Sequence, residues 1–160
     1  MLISDLSRLS LTDSDVDNIN NLLKQLTDKP KSYDRYGIKR LARQRNVFVH
    51  VITDGPKNEI VGMAVLKVDD GRMFTQNYKK AYIGDVVVDS NYRGRGIAEK
   101  LMHSLMILAR KLNAKYVSLT SNPNNPNRAA AIRLYERMGF KKIGELNGSN
   151  YYRMELKQGA

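Results

Sequence analysis

Apolar positions in the first half of the chain change from a helical to a strand period. Apolar residues three or four apart predict a helix over residues 16–26, and a weaker, basic helix follows over 33–45. Runs rich in β-branched residues then predict three strands, over residues 47–53, 60–68 and 81–88.

The segment between the second and third of these strands is polar. Asp69, Asp70 and Gly71 have the composition of a turn, and the residues after them, 72–79, have no clear period. The pattern therefore predicts a turn at 69–71 followed by a polar loop.

The second half of the chain alternates strands and helices. The pattern predicts a long amphipathic helix, a short strand, a second helix ending at Gly139, and two final strands around an Asn147-Gly148 turn: residues 97–112, 116–120, 128–138, 140–143 and 151–156. Early strands joined by short turns suit antiparallel pairs, and a strand–helix–strand unit suits a parallel pair. We therefore expect a mixed, mostly antiparallel central sheet with helices on both faces, in the α/β class.

Composition narrows the range of chemistries. The 160 residues, of which 42% are hydrophobic, fit a single domain over 1–160. The chain has no cysteine, which excludes disulfides and a thiol nucleophile, and its two histidines are too few to predict a metal site. We expect His50, within an early strand, to be structural or exposed and not catalytic.

The N-terminal segment lacks the apolar core of a signal peptide, and no apolar run is long enough to cross a membrane, so we expect a cytoplasmic protein. A formal charge of +11 indicates an anionic partner or a basic surface. Nucleic acid is disfavoured because no recognised binding pattern is present. A homodimer is left open.

Arg93-Gly94-Arg95-Gly96 lies between an apolar strand and the long amphipathic helix. Glycines in such a turn let backbone amides approach a ligand, the helix N-terminus attracts negative charge, and arginines donate to phosphate oxygens. The turn therefore predicts a diphosphate site. It fits neither the Walker loop nor the dinucleotide pattern, which would need a glycine where Glu99 stands.

Two segments resemble the GNAT superfamily of acyl-CoA-dependent N-acetyltransferases. VVVDSNYRGRGIAEKLM is similar to its acyl-CoA binding segment, and LTSNPNNPNRAAAIRLYERMGFKKIG to its later strand and helix, with NYYR following. The resemblance implies transfer of an acetyl group from acetyl-CoA to a primary amine by direct attack. It also implies acetyl-CoA contacts at Val87, Val88, Arg93, Gly94, Arg95, Gly96, Ile97, Ala98 and Asn127. At Asn127, helix capping is the competing interpretation.

Acetyl transfer needs a neutral amine, a polarised carbonyl and a proton for the departing thiolate. By resemblance, Tyr135 is the candidate acid, since it occupies the position of a tyrosine found near the CoA sulfur in many members. A phenol can supply that proton. The alternative is a core aromatic residue whose hydroxyl is merely satisfied.

Asp85 interrupts the apolar run YIGDVVV, where a covered carboxylate would be costly. It is either a site residue, acting as a base or orienting the amine, or part of a structural ion pair. Relatives often carry a glutamate where this chain has Gly84. That departure keeps a second hypothesis open, a non-catalytic acyl-CoA sensor or interaction module. The acceptor, whether a small molecule or a peptide and whether acidic or not, is not identified.

Overall fold

The computed structural model describes residues 1–27 and 29–157. Its strands are β1 Leu2–Asp5, β2 Val47–Asp54, β3 Glu59–Met73, β4 Gln76–Val88, β5 Ala114–Ser121, β6 Lys141–Leu146 and β7 Ser149–Glu155. Its α-helices are α1 Asp13–Leu26, α2 Arg35–Ala42, α3 Ile97–Lys111 and α4 Ala129–Met138.

The strands form one sheet in the order β1-β2-β3-β4-β5-β7-β6. Every neighbouring pair is antiparallel except β4 and β5, which run parallel and are joined by α3. The predicted mixed, mostly antiparallel sheet with one crossover helix is confirmed.

Two apolar cores lie on opposite faces of this sheet. On one face, Leu101 and Leu105 of α3 and Leu134 of α4 pack against strand residues such as Val117 and Leu119. On the other, Ile19 and Leu22 of α1 and Ile38 of α2 pack against β2 and β3 residues such as Val49 and Met63. Helices therefore cover both faces, and on the second face α1 and α2 pack mainly against β2, β3 and β4.

The prediction of a turn at 69–71 is wrong, because β3 and β4 continue as a long hairpin to Met73 and Gln76. Asp69 pairs with Lys80 and Asp70 with Lys79, so opposite charges face each other across the ladder. Gly71 pairs with Tyr78, and a Cβ on Gly71 would lie 2.5 Å from that ring. Gly71 therefore leaves room for the Tyr78 ring and does not form a turn. The polar side chains of this segment belong to an exposed pair of strands, not to a loop.

Strand β1 has no counterpart in the sequence prediction because it is a four-residue edge strand with Leu2 exposed. The predicted turn at Asn147-Gly148 is confirmed, with φ of 51° and 78° at the two residues. Gly139 ends α4 with φ of 102°, also as predicted. None of the helices within 1–27 and 29–157 is long and apolar enough to cross a bilayer.

Candidate active site

A cleft opens between the two parallel strands at the centre of the sheet. The pairing of β4 with β5 ends at Tyr82 and Ser118, although β4 continues to Val88 and β5 to Ser121. At about 3.3 Å per residue, β4 runs roughly 20 Å beyond the last pair without β5 beside it. A sheet parted in this way exposes backbone groups at its centre, where an extended ligand can bind.

A β-bulge lies on β4 directly beside this cleft. The register to β3 shifts between the pairs Val65–Gly84 and Met63–Val87, and Asp85 within the shift has φ of 49°. Asp85 is exposed, so the expectation of a carboxylate inside a covered strand is wrong. Asp tolerates a left-handed conformation better than most residues, which explains why it interrupts the apolar run here. Its role in the reaction stays a prediction.

The glycine turn follows β4 at the end of the cleft. Gly94 and Gly96 have φ of 75° and 71°, and a Cβ on either would meet no heavy atom within 4 Å. Gly96 is the N-cap of α3 and provides no side-chain cap, so the first-turn amides from Ile97 onward face the turn. Exposed backbone donors at the start of a helix suit a diphosphate.

The two arginines of the turn are held by the turn itself. Arg93 Nε donates to the carbonyl oxygen of Val88 at 3.2 Å, at the last residue of β4. Arg95 donates to the Asn91 carbonyl at 3.3 Å and lies 4.9 Å from the centroid of the Tyr92 ring. These contacts place both charges beside the turn. Val87 and Val88 have buried side chains, which leaves their backbone as the part available to a ligand.

Tyr135 on α4 is 6% exposed and packs near Phe140 and Tyr152, with ring centroids 6.2 and 6.4 Å away. Burial raises the pKa of its phenol above the ordinary value, Arg128 opposes that rise, and Tyr82 adds to it. A phenol with a raised pKa keeps its proton at neutral pH. Tyr152, whose ring lies next to that of Tyr135, pairs with Leu119 directly beyond the last β4–β5 pair, so Tyr135 lies near the point where β4 and β5 part.

Tyr82 lies at the opening of the cleft and is not among the site residues predicted from the sequence. It is the last residue of β4 paired with β5, and its hydroxyl lies 3.1 Å from Thr120 Oγ1, so a hydrogen bond spans the opening of the cleft. A Cβ on Gly84 would lie 3.4 Å from its ring. The signal in the sequence was the Tyr-Ile-Gly order, because a glycine two residues along a strand leaves space on the same face.

The C-terminal end of α1 contacts the loops that border the cleft. Ser90 donates its backbone amide to Gln25 at 2.9 Å, and Arg128 donates to the Leu26 carbonyl at 2.8 Å. Asn127 lies in a 3-10 turn and donates its amide to Asn125, while α4 begins at Ala129 without a side-chain cap. The interpretation of Asn127 as the cap of α4 is wrong, and its acetyl-CoA contact stays a prediction.

Comparison with known proteins gives consistent matches. The model of the Acetyltransferase (GNAT) family matches residues 15–140. A glucosamine 6-phosphate N-acetyltransferase from Trypanosoma brucei brucei is 30% identical over 87% of this chain and 91% of its own length. N-alpha-acetyltransferase 30 from Saccharomyces cerevisiae is 30% identical over 76% of this chain and 68% of its own length. The NatC complex bound to Gag peptide and CoA aligns with a TM-score of 0.70 and 25% identity, over 98% of this chain and 100% of that one.

Proposed function

The chain belongs to the GNAT acetyltransferase family and uses acetyl-CoA as its donor, and we propose that it transfers the acetyl group to a primary amine by direct attack in the cleft between β4 and β5. The observation that carries this proposal is the parting of the two strands beyond Tyr82 and Ser118, with the glycine turn at its end. The cytoplasmic location and the single-domain organisation over 1–160 stay predictions. Residues 28 and 158–160 of that range lie outside the described residues.

The open glycine turn fits a diphosphate, since nothing within 4 Å occupies the space in front of Gly94 and Gly96. Amides from Arg93 to Ala98 would hold the diphosphate of acetyl-CoA, and the backbone of Val87 and Val88 would bind along β4. Bound there, acetyl-CoA supplies an activated acetyl thioester. Asn127, in the 3-10 turn that follows β5, would provide a further contact to acetyl-CoA.

Two residues are assigned to proton chemistry. The Tyr135 phenol is protonated at neutral pH, a state that the upward shift of its pKa by burial reinforces, and it serves as the acid for the departing sulfur. Asp85, exposed at the bulge, orients the attacking amine or accepts its proton through water. No covalent enzyme intermediate is needed, which is consistent with a chain without cysteine.

Release of free CoA thiol in the presence of a panel of amines tests this function. We expect thiol release with at least one amine, and a decrease in kcat of about 100-fold in Tyr135→Phe with unchanged acetyl-CoA affinity. Phe140→Leu, which alters the neighbouring ring, serves as a packing control. Thiol release as fast in Tyr135→Phe as in the wild type would remove Tyr135 from the acid role. Silence with every amine, with acetyl-CoA binding intact, would favour the sensor.

A further inference from the structure

Within the described residues, α1 and α2 leave part of the sheet face that carries Tyr82 exposed, as at Lys80 and Tyr82. In register with Tyr82 lie Ser118 of β5 and Arg153 of β7, and the residues two positions along each strand share their face. On this side, α1 packs mainly against β3 and β4, and α2 packs mainly against β2. We call this area over β4, β5 and β7 the open face; its main side chains are Lys80, Tyr82, Tyr116, Thr120, Tyr151 and Arg153.

The open face is aromatic and positively charged. The Arg153 guanidinium carbon lies 3.7 Å from the centroid of the Tyr116 ring, and Lys115 Nζ lies 5.3 Å from that of Tyr78. The rings of Tyr78 and Tyr116 are 6.2 Å apart. Cations therefore already lie on two of the aromatic rings, and the face offers guanidinium and ammonium groups to a ligand.

Charges on this face do not cancel. The pairing register places four cations on this side of the sheet, Lys67, Lys80, Lys141 and Arg153, and Lys115 lies at its margin against the Tyr78 ring. Two carboxylates lie on the same side, Asp69 at 3.7 Å from Lys67 and Glu155 in contact with Arg153, and Asp70 lines a cavity at the margin together with Lys115. Arg153 Nε is buried and has no hydrogen-bond partner within the described residues. An anionic ligand complements such a surface.

The open face leads to the place where the amine must react. The opposite face of the cleft is filled by the core around Leu119, Tyr135 and Tyr152, so an acceptor reaches the cleft from the open side. Thr120 lies at the cleft, and Tyr116 lies beneath Arg153 four residues earlier on β5. The distance along the strand between them is about 13 Å. An extended chain starting at the cleft covers that distance in about four residues.

We propose that the open face binds the acceptor, and that the acceptor is a polypeptide with acidic side chains at positions 3 to 5 behind a reacting N-terminal amine. This inference rests on the proposed N-acetyltransferase function and names its substrate class. A polypeptide fits better than a nucleic acid, because base stacking would have to displace the cations that lie on Tyr78 and Tyr116.

Three seven-residue peptides with free N-terminal amines test the proposal, identical except that positions 3 to 5 are Glu, Gln or Lys. We expect kcat/KM to be about tenfold higher for the Glu peptide than for the Lys peptide with the wild-type protein. In Arg153→Glu and in Lys80→Glu this preference should disappear or reverse. Arg110→Glu, on the exposed side of α3, is the matched control and should retain it.

Each outcome has one meaning. Equal kcat/KM for the three peptides would overturn the proposal while leaving the transferase assignment intact, because thiol release still occurs. If kcat/KM were higher for glucosamine 6-phosphate than for the Glu peptide, the basic face would be assigned to a phosphate, and the proposal of a polypeptide acceptor would be overturned. Thiol release absent with every amine would contradict the proposed function itself. Two variants, Arg153→Glu and Lys80→Glu, are used so that the test remains valid if one of them does not fold.

Discussion

At Asp85 the sequence predicts a covered carboxylate, whereas the structure has an exposed one at a β-bulge. Its carboxylate interrupts an apolar run in the sequence. In the structure the bulge gives Asp85 a left-handed backbone conformation and exposes its side chain. The register shift that creates the bulge depends on pairing with β3, so the local sequence pattern around Asp85 does not predict the bulge. The position of Tyr82 at the cleft could not be predicted either, because it depends on where the pairing of β4 with β5 ends.

We expect Asp85→Asn to lower kcat/KM for the amine by about 10- to 100-fold, because a neutral amide can neither accept the amine's proton nor attract its charge. Acetyl-CoA affinity should be unchanged. Steady-state kinetics across pH 6 to 9 provides the measurement, and Asp17→Asn, exposed on α1, is the control. Equal kcat/KM in Asp85→Asn and the wild type would leave Asp85 with a structural role at the bulge.

His50 gives a pH-dependent contribution to stability. Burial lowers its pKa, Asp5 partly opposes the shift, and its Nδ1 lies 2.8 Å from Ser104 Oγ. Because the folded pKa lies below the unfolded one, the unfolded chain takes up a proton first. Stability therefore falls as pH decreases through the unfolded value of about 6.5. Thermal unfolding between pH 8 and 5 should show a steeper loss in the wild type than in His50→Gln. Parallel curves would contradict this.

At the scale of elements, the β3–β4 hairpin depends on a glycine that accommodates a ring. We expect Gly71→Ala to destabilise the protein by about 1–3 kcal/mol, since its Cβ would lie 2.5 Å from the Tyr78 ring. Gly144→Ala on β6 is the matched strand control, with nothing within 4 Å of its Cβ. Urea unfolding compares them, and similar midpoints for the two variants would refute the packing argument.

The elements themselves were largely predictable, and their pairing was less so. Periodicity located α1, α3 and the final hairpin because a buried face repeats along each of them. It failed for the hairpin beyond Val68, where exposed Asp and Lys pairs look like a loop. The glycine turn was predicted because its chemistry is contiguous in sequence. The open face was not, since Tyr82, Tyr116 and Arg153 meet through three separate strands.

For the whole molecule, a charge of +11 becomes informative once its placement is known. Arg93 and Arg95 lie at one end of the cleft, and the cations of the open face lie on its accessible side. Both ligands of the reaction are then attracted by the same field. We expect KM for acetyl-CoA to rise several-fold between 0.05 and 0.5 M NaCl, because salt screens exposed charges. A KM independent of salt would show that the charge does not assist binding.

Calorimetric titration of three proteins directly tests whether acetyl-CoA binds at the glycine turn, on which the proposed reaction depends. Gly96→Ala and Gly148→Ala place a Cβ on residues with φ of 71° and 78°, so they carry similar backbone strain. We expect one-to-one binding by the wild type and Gly148→Ala, and at least about tenfold weaker binding by Gly96→Ala, whose methyl group enters the diphosphate space. Equal affinity in all three proteins, or no heat from the wild type at high micromolar acetyl-CoA, would contradict binding at the glycine turn.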